Sequence, residues 1–121
     1  MKYMALIYGS EREAELQGEA ALKSLIEEYW QYEAWLEAEH PGKKLASDAL
    51  QPTPTATTVR VRQGKRALSD GPFAETKEQL GGFYLFEAKD LDEALMLAER
   101  IPDAKYGCVE VRAVMDVTEM G

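Results

Sequence analysis

The sequence predicts an α+β fold, a ferredoxin-like sandwich in which an antiparallel sheet carries two helices on one face. Three observations predict it. Short strand-like runs lie at residues 3 to 8, 82 to 87 and 107 to 114, two segments with helical apolar spacing lie between them, and the order is strand, helix, strands, strand, helix, strand. At 121 residues and 45% hydrophobic, residues 1–121 read as a single domain able to bury roughly two thirds of its extended surface around one core.

Each element has its own warrant. Tyr3-Met4-Ala5-Leu6-Ile7-Tyr8 is apolar at odd and even positions alike, so this strand needs cover on both faces; Gly9-Ser10 ends it. From Glu19 to Glu39, Leu22, Leu25, Ile26, Tyr29, Tyr32 and Leu36 recur at three- and four-residue spacing, which predicts a long amphipathic helix entered near Gly18. It stops at His40-Pro41-Gly42, because Pro41 disfavours helical dihedrals at His40 and cannot continue the hydrogen-bond ladder. Residues 44 to 50 read as a short strand and Gln51-Pro52-Thr53-Pro54 as a stiff connector. Residues 57 to 62 alternate with period two and turn at Gln63-Gly64 into residues 65 to 68, a hairpin with one wet face.

In residues 82 to 87, Phe83 and Leu85 point one way and Tyr84 and Phe86 the other. Asp90 with Glu93 three residues on starts a second helix, whose expected buried stripe is Leu91, Ala94, Leu95, Ala98 and Ile101, up to Pro102. The last strand, residues 107 to 114, places Cys108, Glu110 and Arg112 on one face. Two helices cover one face of a sheet, and two of its strands are apolar on both. The economical cover for the second face is the same surface of another copy, so a homodimer with facing sheets is expected.

One connection reads as a site: residues 69 to 83, Ser-Asp-Gly-Pro-Phe-Ala-Glu-Thr-Lys-Glu-Gln-Leu-Gly-Gly-Phe. Asp70 before Gly71-Pro72 predicts a rigid corner, with the carboxylate accepting backbone N–H groups and Gly71 supplying dihedrals closed to other residues. Phe73 is expected to pin the corner to the core. Thr76 with Gln79 has the spacing of a capping box, so a short helical turn is expected, closed by Gly81, with Gly82 opening the next strand. A glycine pair there lets a ligand or another backbone come close.

Composition bounds the partners. The net charge of −8 is concentrated in residues 11 to 40, where nine glutamates face only Arg12 and Lys23. Nucleic acid and anionic membrane surfaces are disfavoured, since either needs a clustered basic patch. Cys108 is the only cysteine, which excludes an internal disulfide and suits a reducing cytoplasm; residues 3 to 8 are too short to span a bilayer. No metal-ligand spacing, phosphate loop, nucleophile elbow or dinucleotide fingerprint is present, so no cofactor is implied.

The run from Asp70-Gly71-Pro72-Phe73 to Gly81-Gly82-Phe83, followed by Leu91-Asp92-Glu93-Ala94 and residues 107 to 112, resembles the DGPF family of YCII-related proteins. The likeness extends to residues 1 to 8, Leu50-Gln51-Pro52 and residues 57 to 62. It implies a dimeric ferredoxin-like α/β barrel. For activity it implies a small, in some relatives aromatic, substrate, or alternatively a non-catalytic regulatory or accessory module associated with an extracytoplasmic-function sigma factor. The broader group pairs a helix histidine with an aspartate; the one histidine here, His40, sits at a helix end, so that half of the chemistry does not carry over.

The candidates follow from the corner. Asp70 is the candidate general base, weighed against a plain turn residue. Phe73, Glu75, Lys77, Glu78, Gly81, Gly82 and Tyr84 are candidate ligand-binding residues, with Lys77 suited to an anionic group. Tyr84, Glu110 and Arg112 are placed toward the space between paired sheets, as interface polar groups. Cys108 is read as a small buried hydrophobe, and Trp30 and Trp35 as packing residues.

Overall fold

Alternation along the strands sets the architecture. In the computed structural model, which describes the backbone of residues 1–120 and the side chains of 1–118, the elements are β1 (Lys2–Gly9), α1 (Glu11–Glu39), β2 (Lys44–Ala49), β3 (Thr57–Arg62), β4 (Lys65–Asp70), β5 (Gln79–Glu87), α2 (Leu91–Ala98) and β6 (Cys108–Ala113). Single 3-10 turns lie at Thr53–Thr55, Pro102–Lys105 and Val117–Met120. A four-stranded sheet has the order β2-β5-β1-β6, antiparallel throughout, and β3 and β4 form a separate two-stranded ribbon. This is the ferredoxin-like sandwich, with a hairpin inserted between β2 and β5.

Odd residues of β1 and even residues of β5 face the helices. Ala5, Ile7, Tyr84 and Phe86 pack with Tyr32 and Leu36 of α1, with Leu97 and Ala98 of α2, and with Ile101. Phe86 and Leu97 are fully enclosed, each contributing about 1.5 to 3 kcal/mol of transfer free energy. Polar atoms entering this layer are satisfied. The Tyr32 hydroxyl donates to the Leu97 carbonyl at 2.6 Å, and the Tyr84 hydroxyl donates to the Glu33 carboxylate at 2.8 Å. Burial, the first cause, pushes both phenols above the ordinary tyrosine pKa range, so both stay protonated donors.

The helices depart from the sequence reading in ways that packing explains. α1 starts at Glu11, where the Ser10 hydroxyl accepts the Glu13 N–H at 3.1 Å, and it is interrupted at Gly18, with φ 85° and ψ −172°. Residues 12 to 20 are exposed, so they carry no apolar stripe from which periodicity could announce a first segment. On α1 Tyr32 and Leu36 are buried while Leu22 and Ile26 are exposed. On α2 the buried set is Ala94, Leu97, Ala98 and then Ile101; Leu91 and Leu95 point outward, 48% and 45% exposed. Asp90 caps α2 as expected, accepting the Glu93 N–H at 2.9 Å.

The opposite face of the sheet is formed by Met4, Leu6, Tyr8, Phe83 and Leu85, flanked by Ala46 and Asp48 on β2 and by Cys108, Glu110 and Arg112 on β6. The five central side chains are half-buried. Tyr84 belongs to the helix face, so it does not line this side as expected for a group between sheets.

Gly107, just before β6, is fixed by contact. A Cβ added there would lie 2.1 Å from the Tyr8 carbonyl oxygen and 3.0 Å from the Gly9 Cα. Both are backbone of the central strand and cannot rotate away. Gly107→Ala is therefore expected to lower stability by about 1 to 3 kcal/mol, the usual cost of forced overpacking; an unchanged denaturation midpoint would show that β6 docks less tightly than this.

Candidate functional site

The corner is built from its backbone outward. β4 ends at Asp70, opposite Thr57 in the hairpin register. Gly71 then adopts φ 90°, a conformation that L side chains rarely take, and its N–H donates to the Ala56 carbonyl at 2.6 Å. The Thr58 hydroxyl donates to the Gly71 carbonyl at 2.8 Å, so the root of the hairpin is clamped at that glycine.

Beyond the corner, residues 71 to 78 contain no helical turn. The Thr76 hydroxyl donates to the Glu78 carbonyl, and the Gln79 side-chain amide donates to the Thr76 carbonyl, both at 2.5 Å. The capping-box pair thus closes a loop on itself instead of starting a helix, because its polar groups bond carbonyls and not the free N–H groups of a first turn. β5 begins at Gln79, so Gly81 and Gly82 are inside a strand. Ile7 pairs with Gly82 and Tyr8 with Leu80, which leaves Gly81 as the extra residue of a β-bulge.

That bulge re-aims Gln79. Without it Gln79 would stand on the opposite face; with it Gln79 lies opposite Gly9, and its Oε1 accepts the Glu11 N–H at 2.9 Å. Glu11 in turn accepts the Thr53 N–H at 2.8 Å and the Thr53 hydroxyl at 2.6 Å. The start of α1, the 3-10 turn at Thr53–Thr55 and the start of β5 are tied together through these two side chains. Gly82 has a packing role as well, since a Cβ there would lie 2.8 Å from the Asp48 carbonyl oxygen of β2.

A cavity of about 410 Å³ opens between the 3-10 turn and the corner, lined by Thr53, Pro54, Pro72, Ala74, Glu75, Thr76 and Gln79. Two proline rings and Ala74 make its apolar walls. Of its polar groups, the Thr53 and Thr76 hydroxyls and the Gln79 carbonyl oxygen are already engaged. Glu75 is exposed, and among the described residues its carboxylate has no hydrogen-bond or ion-pair partner.

Of the residues expected at the site, Glu75 lines this cavity and Asp70 stands two residues before its Pro72 wall. Asp70 is exposed, and its carboxylate accepts none of the backbone N–H groups expected of a turn-capping Asp. Phe73 is 80% exposed and does not pin the corner. Lys77 and Glu78 are exposed on the same loop. Tyr84 is buried under α1, away from the loop. The sequence marks Gln79 only as a capping-box partner and gives no local sign that Glu11 and Thr53 organise the site with it. Their separation of up to 68 positions hid the link, although two glycines inside a strand signal a bulge.

Among the described residues no group of three or more His, Cys, Asp and Glu side chains is arranged to hold a metal, and no helix is long and apolar enough to cross a membrane. A second hollow of about 370 Å³ lies on the helix side, lined by Tyr32, Trp35 and Arg100 among others. The Arg100 guanidinium sits 4.4 Å from the Trp35 ring centre, and the His40 ring packs on Trp35 at 4.8 Å.

The order β2-β5-β1-β6, with two helices on one face and an inserted hairpin, places the protein in the ferredoxin-like α+β class. The chain belongs to the YCII-related domain family, which matches residues 1–118. It is 51% identical over 65 residues to an uncharacterised protein of Rhizobium meliloti, an alignment spanning 52% of this chain and 52% of that protein, about half the length of each. In structure it is similar to the 5-chloro-2-hydroxyhydroquinone dehydrochlorinase of Burkholderia phenoliruptrix, solved in complex with 2,5-dihydroxybenzoquinone. The TM-score is 0.50 at 19% identity, over 95% of this chain and 94% of that one. That likeness bears on the fold.

Cys108 is exposed on the open sheet face, not buried as expected, with Sγ 3.8 Å from a Glu78 carboxylate oxygen. Local desolvation first, then the Glu78 charge and hydrogen bond, push its thiol above the ordinary range. A raised value means less thiolate at neutral pH. Alkylation of Cys108 is expected to be slower than that of a free cysteine and to speed up in Glu78→Gln, which removes the nearby charge. A rate indifferent to that change, read by mass spectrometry, would exclude the Glu78 contribution.

Proposed function

We propose that the protein binds, and at Asp70 transforms, a small hydroxyl-bearing aromatic molecule in the cavity beside the Asp70-Gly71-Pro72-Phe73 corner. The cavity carries this reading. At about 410 Å³ it lies at the lower end of the range for small-molecule pockets, which suits one substituted ring. Pro54, Pro72 and Ala74 offer flat apolar walls to such a ring, and the unengaged Glu75 carboxylate is an acceptor for its hydroxyl. The exposed Asp70 carboxylate, two residues before the Pro72 wall, is the candidate base, and Lys77 the candidate partner for an anionic form. The aromatic quinone named with the dehydrochlorinase of the same fold is of this size class.

The assembly proposed with it is a homodimer in which the face of Met4, Leu6, Tyr8, Phe83 and Leu85 packs on the same face of a second copy, in a cytoplasm where Cys108 stays reduced. Leu85→Glu is expected to convert a dimer into a monomer or unfold it. Light scattering that finds the unaltered protein a monodisperse monomer would overturn the pairing.

The ligand reading is tested by thermal shift against substituted phenols, hydroquinones and aromatic carboxylates. A phenolic hit is expected, weakened about tenfold or more in Glu75→Gln because a hydrogen bond to a charged group contributes about 1.5 to 3 kcal/mol. Asp70→Asn should keep binding and lose any turnover. A hit held equally by unaltered protein, Glu75→Gln and Pro72→Ala would remove the site from this corner. No hit at all would favour the accessory reading, a module beside an extracytoplasmic-function sigma factor.

A further inference from the structure

The hollow on the helix side shares no residue with the corner cavity. One wall is α1, which contributes Gln31 and Trp35; the other is the stretch after α2, which contributes Glu99, Arg100 and Lys105. At about 370 Å³ it is within the size range of small-molecule pockets. Its walls are tied to each other. The Tyr32 hydroxyl donates to the Leu97 carbonyl at 2.6 Å, the Tyr29 hydroxyl donates to an Asp103 carboxylate oxygen at 2.5 Å, and Lys105 pairs with Glu28. The separation of α1 from the opposite wall is therefore set before anything enters, which lowers the cost of binding.

Two acidic and two basic side chains line the hollow, and only one acid and one base are paired. Glu28 and Lys105 neutralise each other, and the Tyr106 hydroxyl donates to Glu28 at 3.2 Å. Glu99 and Arg100 are neighbours in sequence but form no ion pair with each other. Among the described residues neither side chain has a hydrogen-bond or ion-pair partner, and the Gln31 amide has none either. The Arg100 guanidinium lies over the Trp35 ring, 4.4 Å from its centre. Stacking occupies a face of that planar group and leaves its edge, with the N–H donors, open.

We infer that this hollow binds a small zwitterion, a free α-amino acid with an apolar side chain, its carboxylate on Arg100 and its ammonium on Glu99. The guanidinium edge donates two parallel N–H bonds to a carboxylate, and an ammonium donates to the Glu99 oxygens. Charge selects this class of ligand. The unpaired side chains sum to zero, so a ligand that is only an anion meets Glu99 as well as Arg100, in a chain of net charge −8. A ligand that is only a cation meets the reverse. One that carries both charges satisfies both groups, and each single-charge competitor leaves one of them opposed. Tyr32, Ile101 and Pro102 close the floor and suit an apolar substituent. The inference is separate from the proposed ligand of the corner and from the sheet pairing, since it uses neither the corner cavity nor the open sheet face.

The test uses compounds of one carbon skeleton: L-leucine, isocaproate, which lacks the amino group, and isoamylamine, which lacks the carboxylate. Each is titrated to millimolar concentration into isotope-labelled protein while the indole N–H signals of Trp35 and Trp30 are followed by NMR. L-leucine is expected to move the Trp35 signal and to leave that of Trp30, which does not line the hollow. Isocaproate and isoamylamine are expected to bind about tenfold or more weakly, since each forfeits one charge-assisted contact. A Trp35 signal that L-leucine does not move, or isocaproate binding as well as L-leucine, would overturn the inference.

Arg100→Gln and Glu99→Gln separate the two contacts. Both positions are exposed, so both variants should keep the fold and the melting temperature of the unaltered protein. Each is expected to weaken L-leucine about tenfold or more. Isocaproate should lose its residual binding in Arg100→Gln and gain in Glu99→Gln, where the opposing charge is gone. L-leucine held equally by the unaltered protein and by either variant would also overturn the inference.

Discussion

The sheet β2-β5-β1-β6 has helices on one side only, and most features of the protein answer to that constraint. Facing the helices, every large side chain has a partner: Tyr32 stands edge-on to Tyr84 with ring centres 5.3 Å apart, and Tyr84 stacks on Phe86 at 5.6 Å. Their hydroxyls are spent on the Leu97 carbonyl and on Glu33, whose other oxygen takes the Lys44 ammonium at 2.7 Å. On the other side Met4, Leu6, Tyr8, Phe83 and Leu85 end the molecule with apolar atoms. A strand apolar on both faces is stable only if both are covered, which is why the pairing of two copies belongs to the proposed function.

Strand contacts set the positions of the loops. Gly107 and Gly82 let neighbouring backbone come closer than a Cβ permits, so β6 and β2 can lie against β1 and β5 at these ends. The bulge at Gly81 turns Gln79 toward Glu11, and Glu11 holds Thr53. Because the cavity wall comprises the 3-10 turn on one side and the corner loop on the other, this pair of side chains sets its width. The cavity thus depends on how β5 enters the sheet, through the bulge at Gly81 and the close backbone approach at Gly82.

The charge of the molecule is unevenly distributed. α1 is acidic and the β3–β4 ribbon basic, and each carries its own uncovered apolar stripe. A net charge of −8 conceals this division. On the ribbon the two characters are segregated: Arg60, Arg62 and Lys65 stand on one face and Val59, Val61 and Leu68, with Arg66, on the other.

The order of the strands, the end of α1 at His40, the Asp90 cap and the positive φ of Gly71 were determined by the sequence itself. Each rests on a local rule, such as alternation, a proline after the last turn, a side chain that accepts the N–H three residues on, or a dihedral open to glycine. Tertiary structure decided what those rules cannot express. Leu91 and Leu95 lost the core to Leu97 because the direction of α2 over the sheet, not the spacing alone, chooses between adjacent stripes. Thr76 and Gln79 had capping-box spacing yet closed a loop, because Gln79 was already drawn to Glu11 by the bulge. Phe73 and Cys108 were expected inside and stand outside, since hydrophobicity favours burial but only the path of the chain provides a place for it.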